Sequence, residues 1–212
     1  MKNYTQLLSI SLMLFAVLAL GSCGGKMTKK AVKKGDVFKA SIEDFEKNRQ
    51  KFAVQVSETI EDANEALADE EPNTEDISTD FEKEWNKIQT RYKKMKKDFE
   101  DVRNSSNAYF EHLDELANGI NNEKMRATEL KKNTELQIVW EKQYVEAEKS
   151  IQAVDQVLIE GNDFHRVLLL SSVRDKIQQN IDNLNDLSKQ ADSLLKDLEA
   201  FTEAGRELAS KG

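Results

Sequence analysis

Apolar residues recur at helical spacing along most of the chain. In a first stretch Phe38, Ile42, Phe45, Phe52, Val56, Ile60, Ala63 and Leu67 follow one another by three, four or seven positions, which stacks them on one helix face. The stretch is expected to end in Ala68-Asp69-Glu70-Glu71-Pro72-Asn73-Thr74, because proline has no amide to donate and biases the residue before it away from helical angles. Thr79, with Glu82 three residues on, predicts a capping box that opens the second helix. That helix is the most regular: Phe81, Trp85, Ile88, Tyr92, Met95, Phe99, Val102, Ser106, Tyr109, Leu113 and Leu116 alternate steps of four and three, as in a coiled-coil seam.

Asn118-Gly119 and Asn121-Asn122 tolerate left-handed backbone angles and predict a reversal. A third helix carries Leu136, Trp140, Tyr144, Ala147, Ile151, Val154 and Leu158, after a polar beginning over residues 122–133 that is expected to be exposed. Gly161-Asn162-Asp163 reads as a stop and a new cap, with Phe164 opening the last helix, although the apolar run over residues 164–170 also allows one bent helix through this point. The last stretch has two seven-residue rows, Ile177, Leu184, Ala191, Leu198 and Leu187, Leu194, Phe201, Leu208, with Ile181 and Leu195 beside them. A stripe that broad needs more than one neighbour. The expected fold is all-α, an elongated antiparallel bundle of about four long coiled-coil-like helices over residues 37–210.

Composition agrees: a third of the residues are charged, there is one proline, and no sustained period-two alternation marks a strand. Charge is placed unevenly. The chain has a formal net charge of −8, yet Lys26, Lys29, Lys30, Lys33, Lys34 and Lys39 are opposed between positions 26 and 39 only by Asp36.

Before these lysines, Lys2 precedes an apolar run over residues 7–20 that ends in small residues. This is a signal-peptide layout, too short for the roughly 20 residues of a membrane-spanning helix. Leu20-Gly21-Ser22-Cys23 resembles the bacterial lipobox, which implies lipid on Cys23 and removal of residues 1–22. An ordinary secretory cut near Ser22 is the alternative and would leave a free thiol. Residues 23–36 then form a Lys-rich segment in which Lys26, Lys29, Lys30, Lys33 and Lys34 are candidates for contact with anionic headgroups, at about 1 kcal/mol per basic residue near the surface. A solvated linker is the alternative.

The lipobox, the acidic break around Pro72, Phe99-Glu100-Asp101-Val102 leading into Leu113-Asp114-Glu115-Leu116, and Val154-Asp155-Gln156-Val157-Leu158 together resemble a family of bacterial lipoproteins known as domain of unknown function 2959. The resemblance spans most of the chain after Cys23 and implies an all-helical envelope protein. It brings no activity or site.

Catalytic chemistry finds little support. A di-iron bundle needs Glu-x-x-His pairs, but Tyr109 and Asn162 stand three residues before His112 and His165. Glu111, His112, Asp114 and Glu115 offer ligand types but flank Leu113, which predicts a solvent-facing group; His165 is expected on the surface or at a cap. Ser105-Ser106 and Ser171-Ser172 lack a neighbouring base. Trp85, Tyr92, Tyr109, Trp140 and Tyr144 lie on the core stripe, where aromatic rings serve packing. Lys93, Lys94, Lys96 and Lys97 are neutralised within a turn by Asp98, Glu100 and Asp101, as on a wet helix face.

The sequence therefore points to a protein that is not an enzyme and uses no cofactor or metal: a cell-envelope lipoprotein whose helices act as a scaffold, spacer or partner-binding module. Expected partners are the membrane, through the N-terminal lipid, and an envelope protein or a second copy, with no nucleic acid. Gly24 and Gly25 resemble neither an aspartate retention signal nor an acidic export tag, which tilts the expected location to the outer membrane, facing the periplasm. The alternative is a bundle that opens to hold lipid or client proteins, for which Arg49, Ser106, Asn180 and Ser188 are the polar interruptions of its stripes.

Overall fold

The computed structural model describes the backbone of residues 27–171 and 177–210 and side chains over 33–170 and 178–210. Four helices account for nearly all of it: α1 Met27–Leu67, α2 Thr74–Asn118, α3 Glu123–Ser171 and α4 Ile177–Ser210. With 34 to 49 residues each, they are about 50 to 75 Å long. Helix α1 packs against α2 and α4, and α3 packs against α2 and α4. The result is an elongated antiparallel bundle with its core along the shared axis.

The register between α2 and α3 follows the seven-residue repeat. Ser78, Trp85, Tyr92 and Phe99 face His165, Leu158, Ile151 and Tyr144, one heptad forward on α2 for each heptad back on α3. Two of these steps are hydrogen bonds onto α3 carbonyls: Trp85 Nε1 donates to Leu158 at 3.2 Å and Tyr92 Oη to Ile151 at 2.7 Å. A buried aromatic residue thereby keeps its polar atom satisfied while its ring fills the core.

Near mid-rod each helix contributes one ring to a common layer, Phe45, Phe99, Tyr144 and Phe201. Phe99 stacks on Tyr144 with centroids 4.4 Å apart, and Phe201 lies 5.3 Å from Phe99 and 5.8 Å from Phe45. The stripes of α1, of α2 as far as Tyr109 and of α3 from Trp140 are all buried; the pattern changes only at the end of α2. There Leu113 and Leu116 are only half-buried, while Phe110, His112 and Ala117 turn inward. The start of α3 is polar and exposed: no described residue of α3 before Trp140 is buried.

Three expected boundaries move. Helix α2 begins at Thr74, not at Thr79. Asn73 is its N-cap, accepting from the amides of Glu75 and Asp76, and Thr79 lies inside the helix with its hydroxyl donating to the Glu75 carbonyl. Asparagine directly after Pro72 caps as well as Thr79 does, and the acidic Glu75 and Asp76 suit the first turn. At the next reversal Gly119 keeps right-handed angles, φ −72° and ψ −7°, so the turn over residues 119–122 needs no left-handed glycine; Asn122 Oδ1 accepts from the Met125 amide and caps α3.

At Gly161 the structure takes the second of the two expected courses: the glycine is no stop. Helix α3 runs through it to Ser171. A Cβ built on Gly161 would lie 1.8 Å from Cζ2 of Trp85, so glycine is required there by the approach of the indole ring and not by a turn. Gly205 on α4 is also closely approached, though there a Cβ would lie 2.3 Å from Ile42 Cδ1, the movable end of that side chain.

Candidate functional site

Cys23, Lys26 and the expected signal segment over residues 1–22 lie outside the described residues. Helix α1 begins at Met27, so Lys29, Lys30, Lys33 and Lys34 belong to its first turns; Lys33 is exposed and Lys34 half-buried. Among the described residues no helix is long and apolar enough to cross a membrane.

The chemistry-bearing residues singled out from sequence are dispersed. His112 is buried at 4 % exposure, not solvent-facing as expected, with Nδ1 2.7 Å from Glu115 Oε2 and Nε2 without a partner. His165 sits within α3, not beside a turn, with Nδ1 3.1 Å from Ser78 Oγ and 3.2 Å from the Ser78 carbonyl oxygen. Ser105 pairs with Ser41 across α1 and α2 at 2.6 Å. Ser106 donates to the Arg103 carbonyl. Among the described residues no three His, Cys, Asp or Glu side chains are placed to hold a metal ion.

Of the basic cluster on α2, Lys94 reaches Asp98 at 3.2 Å and Lys96 reaches Asp155 at 3.5 Å. Asp98 neutralises Lys94 as the i,i+4 spacing predicts, but it is itself buried and also accepts a short hydrogen bond from Asn48 Nδ2. On either side of Asn48 on α1, Arg49 and Glu46 form a bidentate pair, Nε to Oε2 at 2.7 Å and Nη2 to Oε1 at 2.8 Å, and Arg49 Nη1 donates to the Leu195 carbonyl. Burial opposes the charge on Glu46, but the hydrogen bonds and charge of Arg49, with Gln50 and Thr202, outweigh it and hold its pKa below the ordinary carboxylate value. Arg49 is tolerated in its stripe because Glu46 on the same helix neutralises it and the Leu195 carbonyl of α4 accepts from it.

A cleft opens between the end of α1 and the start of α2, with a volume of about 490 Å³. Its floor is apolar, formed by Ala63, Ala66, Ile77 and Phe81, and its rim carries Asp62, Asp69, Glu71, Asp76, Asp80 and Glu84. No lysine or arginine lines it. Thr59 also lines the cleft; it is 3 % exposed and its hydroxyl has no hydrogen-bond partner. The acidic run around Pro72 is the expected break between α1 and α2, but the helical period alone does not show the cleft beside it. The available signal was charge: residues 52–82 contain eleven Asp and Glu and not one Lys or Arg.

No protein-family model matches the chain, and no curated protein or solved structure was found to be similar to it.

Proposed function

We propose that the chain is a lipid-anchored, non-catalytic scaffold of the bacterial cell envelope, a rod that acts as a spacer or partner-binding module. The observation that carries this reading is the use of the apolar stripes. Rings and branched side chains of all four helices fill one another's space from Phe38 on α1 to Leu168 on α3. A bundle that holds lipid or client proteins would have to give up these contacts, at a cost of about 1.5 to 3 kcal/mol for each large side chain exposed. A sealed rod offers its length and its outer faces instead. On α3, Ile138, Val145 and Ile159 are large, exposed and separated by multiples of seven, which suits recognition by a partner helix.

In this reading the signal segment directs export, Cys23 carries the lipid, and the lysines that follow lie against anionic headgroups of an outer membrane facing the periplasm. The resemblance to domain of unknown function 2959 fits the same picture. Crosslinking in living cells, with the native chain beside Cys23→Ala and mass spectrometry of the captured species, tests it. A discrete envelope partner, or a second copy, that is lost with the anchor is expected. Capture of lipid alone or of a broad set of clients would overturn the scaffold reading.

A further inference from the structure

The acidic cleft between α1 and α2 holds more unused chemistry than any other described part of the rod. Glu84 is engaged by Lys87 at 2.6 Å and by Gln55 at 3.1 Å, and Asp76 by Asn73 at 2.7 Å. Asp62, Asp69, Glu71 and Asp80 have no side-chain partner among the described residues. Carboxylates gathered round one cleft repel one another until a counter-charge enters it.

Thr59 is the second and independent sign. Thr79, Thr90, Thr128, Thr134 and Thr202 each turn the hydroxyl back onto the carbonyl four residues earlier. Thr59 does not, although it is the more deeply buried of most of these and lines the cleft. A buried hydroxyl without a partner is costly, and an N–H brought into the cleft would satisfy it.

We propose that this cleft binds an alkylammonium ligand, an aliphatic chain carrying two or more protonated amines, with a free polyamine as the occupant. Its methylenes lie on Ala63, Ala66, Ile77 and Phe81, its ammonium groups meet the carboxylates of the rim, and one N–H donates to Thr59 Oγ1. The alternating demands of the site select this chemistry. A bare divalent ion needs several oxygens converging on one point at 2.3 to 2.6 Å, whereas the carboxylates here form no such group and surround an apolar floor that a hydrated ion would not use. The same ammonium-on-a-stem chemistry is carried by lysine side chains of a partner, and the test separates the two sources.

The test is calorimetric titration of the purified full chain at low salt with spermidine, with a tetralysine peptide and with magnesium chloride. Saturable binding of spermidine is expected, weakened at least tenfold by the double variant Asp62→Asn and Asp80→Asn and about threefold by Thr59→Val. Both carboxamides replace exposed side chains and Thr59→Val keeps shape while removing an unpartnered buried hydroxyl, so unliganded melting midpoints should equal or exceed that of the parent. Tetralysine binding more tightly than spermidine, and lost in the same variants, would assign the ammonium groups to a partner's lysines. Failure of both to saturate, equal competition by magnesium, or variants that bind like the parent would each overturn the proposal.

Discussion

Trp85 on α2 and Gly161 on α3 share a space that has no room for a single methyl group. The indole ring lies where a Cβ on residue 161 would sit, and its Nε1 donates to the Leu158 carbonyl one turn earlier on α3. In an exposed helix, Gly→Ala stabilises by about 1 kcal/mol through propensity. At this position the sign should reverse: Gly161→Ala must displace the ring or part the helices, an overpacking that costs about 1 to 3 kcal/mol. Thermal unfolding followed by circular dichroism reads the result. A variant as stable as the parent would remove the close approach, and in a Trp85→Leu background the added cost of Gly161→Ala should largely vanish.

The buried pair of Glu46 and Arg49 gives a second prediction. Arg49→Leu strands a carboxylate in the core and should destabilise by about 3 to 5 kcal/mol, whereas Glu46→Leu combined with Arg49→Leu should cost little or even stabilise. The pH dependence has a definite sign. Because the folded pKa of Glu46 lies below the ordinary 4.5, its contribution is complete above that pH and is lost as pH falls through the folded value. Denaturant melts of the parent and of Glu46→Gln should therefore differ at neutral pH and converge in acid below about pH 4.5.

These two residues also show how far the sequence carries. The stripe positions on α1, α2, α3 and α4 were legible because burial follows the helical period, and with them the all-helical antiparallel architecture. Gly161 left a stop and a continuing helix both open because Gly-Asn-Asp is turn chemistry by local rules; what decides for the helix is Trp85, distant in sequence. Thr79 lost the cap to Asn73 for a local reason, two competent caps standing close together. Arg49 was visible as an interruption and Glu46 stands three residues before it on the same helix, but nothing local placed the pair against the Leu195 carbonyl. The acidic cleft depends on the folding back of α2 on α1, which brings Asp62 and Asp80 to one opening.

Alkaline unfolding should report the buried tyrosines. Burial raises the pKa of Tyr92, and the Asp155 carboxylate beside it adds to the effect; burial also raises Tyr109, and it lifts Tyr144 to about 12 despite the opposing charge of Arg103. Phenols harder to ionise in the folded chain contribute stability that is intact below the unfolded pKa of about 10 and lost as pH rises towards the folded values. Absorbance at the phenolate band should rise together with loss of helicity. Ionisation of these three at pH 10 in a fully helical chain would contradict their burial.

Phe99 gives the most direct test of the shared aromatic layer, since its ring lies among Phe45, Tyr144 and Phe201, one from each of the other helices. Phe99→Ala opens a cavity there and should cost about 3 to 5 kcal/mol. Phe99→Asp should cost more, because the layer offers an unpaired carboxylate no counter-charge. Phe99→Leu keeps most of the volume and loses mainly ring contacts worth about 0.5 to 1.5 kcal/mol each, so the three variants should rank Leu, Ala, Asp in falling midpoint. The ranking separates this layer from a surface position, where aspartate would be tolerated as well as alanine: equal midpoints for the last two would place Phe99 outside the core and break the register that sets Tyr92 on Ile151 one heptad away.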